Sequence, residues 1–420
     1  MLRFVKILLV GLISIVVLTF VALFLIPNDT YRRWLEETVS SATGRQLTVA
    51  GDFDAQSSLF KVHATDVRFA NPDWADDASM VTIGPFDAAL RVLPLLIGRV
   101  EAILDLDGLN VALETNADGE GNWQMGDDSA PPATTVPDQA PASPGVPNWL
   151  LASRLHIGNG TFSFTDGASG NSRSFVLDEL DLGEKDQRLA LMLKGQYLEQ
   201  PITLGGDLGD VDSLAQGAPA DLRLDGGVGD IALSAGGSVA ELFAAAGPTL
   251  DLVLGLKAPS TQSVEPFLDG SIPDVGAVDF TGQLTGADGA LAALDLKLTL
   301  DGPDLKAGVD GAIGDLLTLG EMAFKAQLSS DTVPALVETV GVALPGTAPK
   351  SLKASWELNG DLNGLALQDL IAVLEDEQVQ INLTGKAEDL ITQKGLNAQL
   401  SATSPSLAAL SQFAGRDLPD

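Results

Sequence analysis

The sequence contains no cysteine, only two histidines and few aromatic residues. Aromatic side chains make up 5% of the 420 residues, so the hydrophobic 45% consists mostly of leucine, alanine, valine and isoleucine. The absence of cysteine excludes disulfides, thiolate zinc sites and cysteine nucleophiles. The apolar content is nevertheless sufficient for a large core or for several modules.

Positive charge is also scarce. The chain has 24 Lys and Arg residues against 57 Asp and Glu residues, which gives a formal net charge of −33. A field of this sign repels phosphate backbones, so we expect no nucleic-acid partner. It also disfavours a protein that lies flat on anionic lipid. The simplest role of the acidic residues is solubility.

Motifs for catalysis are missing. The sequence has no HExxH, GxSxG, GxxxxGK[ST] or dinucleotide-binding pattern. His63 and His156 lie far apart in the sequence, in what look like different modules, and we predict structural or surface roles for both. We therefore predict a protein that is not an enzyme, with no catalytic residue, no metal and no cofactor. An enzyme would need a site that motifs do not reveal.

The N-terminus carries the one long apolar run. Arg3 and Lys6 precede an uncharged stretch, residues 7–26, which as a helix would span roughly 30 Å, the thickness of a bilayer core. No small-residue cleavage site follows, so we predict an uncleaved transmembrane anchor over residues 1–27; a cleaved signal peptide is the alternative. The basic residues predict a cytoplasmic N-terminus, with residues 28–420 on the other side.

A mixed module is predicted over residues 28–125. It starts with a helix ending at Gly44, continues with strands and turns, and has helical spacing at 86–99 and strand alternation at 109–114. Three residues at the start of the first helix can cap it: Asn28, Asp29 and Thr30.

The stretch "TNADGEGNW" (115–123) has the acidic and glycine content of a calcium loop. It also has the composition of a tight turn, because Asp118-Gly119 follows a strand pattern and Trp123 supplies an apolar residue on the return. A turn accounts for every residue without a metal, and we predict a turn.

A Pro-, Ala- and Asp-rich segment, residues 126–148, has no apolar periodicity and is predicted to be a linker or a long exposed loop. It separates the first module from a repeated β region, residues 149–420.

Strict alternation of apolar and polar residues dominates the region after the linker. A period of two predicts strands with one apolar and one wet face, and such strands are typical of antiparallel sheets. The predicted apolar lining consists of Leu222, Leu224, Leu250, Leu252, Leu254, Leu294, Leu296, Leu298, Leu300, Val379, Ile381 and Leu383.

This region also repeats. Leu256, Leu328 and Leu400 occur in similar segments 72 residues apart, and "GDL" (314–316) and "EDL" (388–390) are 74 apart. A regular long period predicts an array in which each unit contacts its neighbours, and the pattern favours continuation of the array.

The apolar face of such a sheet must be covered. A second sheet would make a sandwich. Alternatively, the sheet curls lengthwise into a groove that holds acyl chains, each buried CH₂ contributing roughly 0.8 kcal/mol. The alternation alone leaves both arrangements open.

Four segments in order resemble the AsmA family of bacterial membrane-anchored proteins. After the anchor, and over roughly residues 1–185, they are "TGRQLTVAGDF" (43–53), "ATDVRFANPDW" (64–74), "LRVLPLLIGRVEAILDLDGLNVALETNADGEGNW" (90–123) and "LHIGNGTFSFTD" (155–166). The resemblance implies a protein of the bacterial inner membrane, single-pass, with its bulk in the periplasm. The implied fold is mainly β: a long antiparallel, lengthwise-curled sheet with a few short helices.

Proteins of this kind are similar to the repeating-β-groove lipid-transfer proteins. The resemblance therefore implies phospholipid transfer between inner and outer membrane and a role in outer-membrane biogenesis. The implied partners are phospholipid acyl chains, the inner membrane, and outer-membrane or other envelope proteins. The alternative is a scaffold or assembly factor for outer-membrane proteins that does not conduct lipid.

Overall fold

A computed structural model describes residues 27–55, 61–91, 101–124, 154–242, 247–268, 270–287, 290–341, 343 and 346–415. Residues 1–26 of the predicted anchor and the whole of the predicted linker lie outside the described residues. Among the residues that are described, no helix combines the length and apolarity needed to cross a membrane. The chain forms two compact units, and the boundary between their main parts falls between Thr203 and Leu204.

Strands account for most of the described residues, as predicted. The strands are β1 (Leu47–Val49), β2 (Phe53–Asp54), β3 (Lys61–Ala70), β4 (Ser79–Leu90), β5 (Ala102–Asp107), β6 (Asn110–Thr115), β7 (Arg154–Asp166), β8 (Ser172–Lys185), β9 (Arg188–Tyr197), β10 (Gln200–Asp210), β11 (Ala220–Val228), β12 (Ile231–Ala240), β13 (Thr249–Ala258), β14 (Ala277–Ala287), β15 (Ala290–Asp301), β16 (Lys306–Asp315), β17 (Gly320–Ser330), β18 (Ser351–Asp361), β19 (Gly364–Glu375), β20 (Gln380–Ala387) and β21 (Asn397–Thr403). The helices are α1 (Asn28–Thr43), α2 (Val211–Gln216), α3 (Val333–Val340) and α4 (Leu407–Ala414), with 3₁₀ turns η1 (Thr261–Ser263) and η2 (Glu265–Phe267).

Helix α1 ends where the sequence predicts. Gly44 takes the left-handed conformation (φ 71°), and its N–H donates to the Ser40 carbonyl, a backbone geometry that glycine adopts without steric cost. The predicted start is wrong: Pro27 occupies the capping position and offers no side-chain acceptor. The three polar residues proposed as caps, Asn28, Asp29 and Thr30, lie inside the first turn instead.

The helical spacing at residues 86–99 does not give a helix where it can be checked. Residues 86–90 belong to β4, which pairs with β3 on one side and β5 on the other. Phe86, Ala88 and Leu90 alternate with polar or small residues, so the same letters also fit a strand with one apolar face. Residues 86–90 adopt the strand conformation because β3 and β5 lie on either side and pair with them. Residues 92–100 lie outside the described part of the chain.

The sheet of the first unit is mixed rather than antiparallel throughout. Strand β7 runs parallel to both β5 and β6, which together follow the same course along β4. A parallel pair needs a long connection, and residues 116–153 between β6 and β7 provide one. Strand β7 follows the predicted linker and yet belongs to the same unit as β3–β6.

Positive φ angles mark the interruption between β5 and β6. Gly108 has φ 66°, and Asn159 in β7 has φ 52°. The Asn159 Nδ2 donates to Asp107 Oδ1 at 2.7 Å. This irregularity lets Leu109 join the buried cluster that includes Ile157 and Leu177.

The second unit is simpler. From β11 to β21 each strand pairs antiparallel with the next. Strands β14, β15 and β16 begin 74 residues before β18, β19 and β20 respectively. One repeat therefore consists of four strands followed by a helical segment: η1 and η2 after β13, α3 after β17 and α4 after β21.

The η1–η2 segment covers the ends of three strands of this sheet. Ile231, Ala258 and Val278 form a buried cluster near the ends of β12, β13 and β14. Val264 and Phe267, from the η1–η2 segment, pack against it. Full burial of large side chains is thus achieved at the strand ends.

Candidate functional site

The candidate site is one face of the second unit's sheet. Residues directly opposite each other in neighbouring strands point to the same side, so cross-strand pairs trace a face. One row of direct pairs crosses eight strands and is aliphatic throughout: Val278, Leu300, Ala307, Leu328, Ala354, Ala372, Leu383 and Leu400. We call this side of β11–β21 the apolar face and the opposite side the polar face.

Most of the predicted lining residues lie on the apolar face. Register places ten of them there: Leu222, Leu224, Leu250, Leu252, Leu254, Leu296, Leu298, Leu300, Ile381 and Leu383. Val379 lies in the turn before β20 and is buried. Whether lipid contacts any of them stays a prediction.

Leu294 is the exception. Asp295 has φ 48°, and the register of β15 shifts there because of a β-bulge. Leu294 pairs with Gln283 on the polar face, while Ala293 pairs with Leu284 on the apolar face. The prediction of uninterrupted alternation through β15 is therefore wrong at this residue. A bulge adds one residue to a strand and reverses the side on which the residues beyond it lie.

The same bulge recurs in β19, 74 residues later. Asp369 also has φ 48°, and Leu367 and Leu370 fall on the apolar face despite their odd spacing. The sequence prediction missed them because it required a period of two. Alignment of the two repeats would have found the matching Asp-Leu pairs.

Sequence reasoning also missed aromatic residues on the apolar face. Phe280, Phe324 and Trp356 all lie there by register. Each occurs in a strand with a less regular apolar pattern, so alternation alone did not single them out.

The middle of the apolar face is only half-covered. Its leucines are half-buried, whereas the fully buried residues at its centre are small, as in Ala293, Ala326 and Ala372. Within the described part of this unit, each strand makes extensive contact only with the strands before and after it. The described strands of this unit therefore form one continuous hydrogen-bonded sheet, and the larger side chains of its apolar face keep part of their surface exposed. At about 4.8 Å per strand, eleven strands extend this face over about 48 Å.

The polar face carries charges of alternating sign. Lys297, Asp310, Lys325 and Glu357 are successive cross-strand neighbours. The Lys325 Nζ lies 2.8 Å from Glu357 Oε1. The hydrogen bond to Glu357, with its charge, raises the pKa of Lys325. The charged residues keep the polar face exposed to water, whereas the apolar face is available for apolar contacts.

The first unit has the same two-sided character. Ala64, Phe86, Leu106, Ile157, Leu180 and Leu193 form a continuous cross-strand row on its apolar side. On the opposite side another row runs His63, Asp87, Asp105, His156 and Asp181. The two histidines therefore lie in one unit, not in different modules as predicted, because β7 pairs with β5.

One cluster in that row has potential metal ligands. Ligand atoms of His156, Glu179 and Asp181 lie within 4.8 Å of one another. The His156 Nδ1 is 3.0 Å from Asp181 Oδ1, the Arg154 guanidinium lies 3.5 Å from the same oxygen, and Lys194 Nζ is 2.8 Å from Glu179 Oε2. Both carboxylates thus have basic partners already, which is typical of a surface ion-pair network.

The segment 115–123 forms a turn, as predicted. The Asn116 Oδ1 accepts from the Asp118 and Glu120 backbone N–H groups at 3.0 and 2.9 Å. Asn122 is fully buried. Its Nδ2 donates to Asn71 Oδ1 and to the Ala112 carbonyl, both at 2.8 Å.

Arg45 joins the same network. Its guanidinium donates to the carbonyl oxygens of Asn122 and Gln124. Asn122 also accepts from the Glu114 N–H at 3.0 Å. The three segments that contain residues 45, 71 and 122 are therefore tied together by side-chain hydrogen bonds.

A model of the AsmA family matches residues 1–186. No curated protein and no solved structure matches the chain. The family resemblance carried by the motifs is confirmed.

Proposed function

Since a model of the AsmA family matches residues 1–186, we propose that the protein serves bacterial envelope biogenesis by handling phospholipid, whose acyl chains lie on the apolar face. The observation that carries the proposal is the continuous row of aliphatic side chains across β14–β21, whose leucines all keep part of their surface exposed. The exposed surface of these leucines is available to an apolar ligand.

The chemistry of the face favours acyl chains over a ligand with a fixed shape. Covering apolar surface contributes about 25 cal/mol per Å², and a binding pocket for one defined molecule would add polar groups that fix its orientation. The row offers aliphatic side chains at every strand instead, so successive positions are nearly equivalent. An acyl chain can then move between them without losing a specific contact.

The proposed setting follows from the sequence. We place residues 7–26 in the inner membrane and the bulk of the chain in the periplasm, where the protein acts without catalysis, metal or cofactor. Inner-membrane phospholipid and outer-membrane or other envelope proteins are the proposed partners. The net charge of −33 argues against nucleic acid.

A photo-crosslinking experiment in cells tests the proposal. A benzophenone amino acid replaces Leu252 or Ile381 on the apolar face, and Asp251 or Gln380, their polar neighbours in sequence, in the matched controls. Lipid extraction and mass spectrometry then identify adducts. We expect phospholipid adducts from the first pair and at least several-fold fewer from the controls. Equal capture from both faces would contradict the proposal.

A scaffold for envelope protein assembly is the second candidate function. Exposed apolar residues on the polar face, such as Val253 and Ile371, favour it, because exposed apolar surface also marks sites of protein contact. Envelope proteins that copurify while the apolar face captures no lipid would support the scaffold alone.

A further inference from the structure

The connections between strands of the second unit alternate between the two ends of its sheet, because each strand from β11 to β21 pairs antiparallel with the next. The turns after β15 and β19 lie at the same end as the helical segments that follow β13, β17 and β21. We call this the helical end. The connections after β12, β16, β18 and β20 lie at the opposite end, which we call the turn end.

Two leucines of the turn end lie largely in solvent. Leu317, in the turn between β16 and β17, has 71% of its surface exposed, and Leu362, between β18 and β19, has 60%. Both turns have described strands on either side, so this exposure does not depend on where the sequence ends. Turn geometry favours glycine, proline, asparagine, aspartate and serine, so the turns themselves do not require leucine.

The repeat builds the same exposed turn twice. The sequence "DLLT" (315–318) recurs as "DLIT" (389–392), 74 residues later. In each copy the aspartate accepts from the N–H two residues on, at 3.0 and 2.9 Å, and from the threonine hydroxyl. The second residue of each copy donates its N–H to a leucine carbonyl of β15 or β19, at 2.8 and 2.7 Å. The backbone is thus held in place while the third residue, Leu317 or Ile391, is exposed.

Apolar turn residues at the helical end are buried instead. Leu305, between β15 and β16, is 9% exposed, and Val379, 74 residues later between β19 and β20, is 5% exposed. The hydroxyl of Thr332, directly before α3, donates to the Asp304 carboxylate in the first of these turns. Helix α3 therefore begins beside a turn whose apolar residue is buried.

A helix also covers the start of the turn end. Helix α2 connects β10 to β11 there, with Leu214 buried. Gly217, which ends this helix, accepts from the N–H of Glu241 at the end of β12, at 3.2 Å. Among the described residues, no other connection at the turn end contains a helix. The chain thus covers strand ends with helices elsewhere and leaves Leu317 and Leu362 without one.

We propose that the turn end of β16–β21 binds an amphipathic α-helix of a partner polypeptide. The helix lies across the strands, with its apolar stripe on Leu317, Leu362 and Ile391. Successive turns at this end are two strands apart, which is about 9.6 Å. Helix residues seven positions apart lie on one face and are about 10.5 Å apart. One apolar stripe therefore meets successive turns, and the partner helix covers strand ends as α2 does at the start of this end.

The charge around these turns predicts that the helix is basic. Lys394 is the one basic residue in the segments 315–321, 361–364 and 388–396, which contain five acidic residues: Asp315, Glu321, Asp361, Glu388 and Asp389. Opposite charge on a partner favours association with such a surface, whereas anionic lipid is repelled. A second copy of the chain, with its own net charge of −33, is disfavoured for the same reason. The proposal does not rest on lipid binding.

A synthetic peptide tests the proposal. It has about 18 residues, roughly 27 Å as a helix, with leucine along one helical stripe, lysine elsewhere and a fluorophore at one end. The peptide is titrated into the detergent-solubilised full chain, fluorescence anisotropy reports binding, and detergent alone gives the baseline. We expect saturable binding that weakens as salt is added. A peptide of the same composition without a stripe, and one with glutamate in place of lysine, should bind much more weakly.

Matched variants of the protein locate the binding. Leu317→Ser and Leu362→Ser each remove an aliphatic side chain and keep the backbone donors of their turns, and we expect about tenfold weaker binding, which corresponds to about 1.4 kcal/mol. Leu268→Ser is the control, because Leu268 is also exposed but follows η2 at the helical end, and it should bind like the wild type. A photo-crosslinker in the peptide, mapped by mass spectrometry, should label residues 316–319 and 362–363.

Several outcomes would overturn the proposal. They are absence of saturable binding, equal binding of the peptide without a stripe, or equal losses in Leu317→Ser and Leu268→Ser. A benzophenone amino acid at Leu317 that crosslinks to other residues of the same chain without peptide would identify the chain itself as the occupant instead. The peptide variants leave the protein unchanged, so the test stays decisive even if a protein variant misfolds.

Discussion

Leu294 and Leu296 lie two positions apart in β15 and face opposite sides of the sheet. Leu294 is opposite Gln283 on the polar face, whereas Leu296 is opposite Gly311 on the apolar face. The cause is Asp295, whose φ of 48° makes it the extra residue of a β-bulge. Two identical side chains thus sample the two faces from nearly the same place in the chain.

This pair allows a closely matched test of the lipid proposal. Because the chain has no cysteine, Leu296→Cys and Leu294→Cys can each carry one polarity-sensitive fluorophore. We expect phospholipid to shift the emission of the label at 296 to shorter wavelength and to leave the label at 294 nearly unchanged. Equal shifts at both positions would contradict the assignment of acyl chains to the apolar face.

Replacement of Asp295 tests the bulge itself. A β-branched residue is strongly disfavoured at positive φ, so Asp295→Val should lower the free energy of unfolding by about 1–2 kcal/mol. Asp295→Gly should be neutral or slightly stabilising, because glycine takes this conformation freely. Urea unfolding followed by circular dichroism measures both. Lys297→Val, at an exposed position of the same strand, is the control and should cost much less.

Asn122 should be among the most sensitive polar residues of the first unit. Asn122→Ala removes a fully buried side chain and leaves the Asn71 Oδ1, the Ala112 carbonyl and the Glu114 N–H without this hydrogen-bond partner. We expect a loss of about 2–3 kcal/mol in the free energy of unfolding.

Asp118→Ala, in the exposed part of the same turn, is the control for that experiment and should change the free energy of unfolding by less than about 0.5 kcal/mol. Thermal unfolding of the two variants side by side gives the comparison. Similar losses would mean that the turn, not the Asn122 network, determines stability here.

Acid should weaken the turn at Asp315. The Thr318 hydroxyl donates to its carboxylate at 2.7 Å, with the Thr318 and Leu317 N–H groups at 3.3 and 3.0 Å. These bonds, the hydroxyl first, hold the pKa of Asp315 below its ordinary value of 3.8. A lowered pKa in the folded state stabilises the fold above the ordinary pKa, and this contribution is lost as the pH falls through the folded pKa.

The prediction is a pH-dependent difference between wild type and Asp315→Ala. The urea midpoints should differ at pH 7 and converge as the pH falls below about 4. Thr318→Val, which removes the hydroxyl donor, should show part of the same behaviour. Thr281→Val, at an exposed position of β14, is the control. A difference that stayed constant from pH 7 to pH 2 would contradict the assignment.

The sequence predicted what depends on local alternation. Leu250, Leu252 and Leu254 share a face because nothing interrupts the period of two in β13. The repeat was also visible, since Leu256, Leu328 and Leu400 take equivalent places in their strands. The alternation is a pattern of neighbouring residues and the repeat is a second copy of one pattern, so both can be recognised in the sequence alone.

The features that the sequence could not show depend on which strands pair with each other. Residues 86–90 fit either a helix or a strand by spacing, and β3 and β5 decide the outcome. The parallel course of β7 brings His156 opposite Asp105, a pairing that no local pattern contains. The sequence did not reveal the bulge at Asp295, because apolar and polar residues alternate without interruption in "LDLKLTLD" although the backbone does not.

The repeat of the second unit gives the sheet a natural measure of length. Four strands at about 4.8 Å each advance the apolar face by about 19 Å. Because β13, β17 and β21 present equivalent leucines at each boundary, whole repeats can be gained or lost without redesign of the residues between them. The length of the apolar face is therefore set by the number of repeats, which gene duplication changes in a single event, whereas the residues that form the face are determined within one repeat.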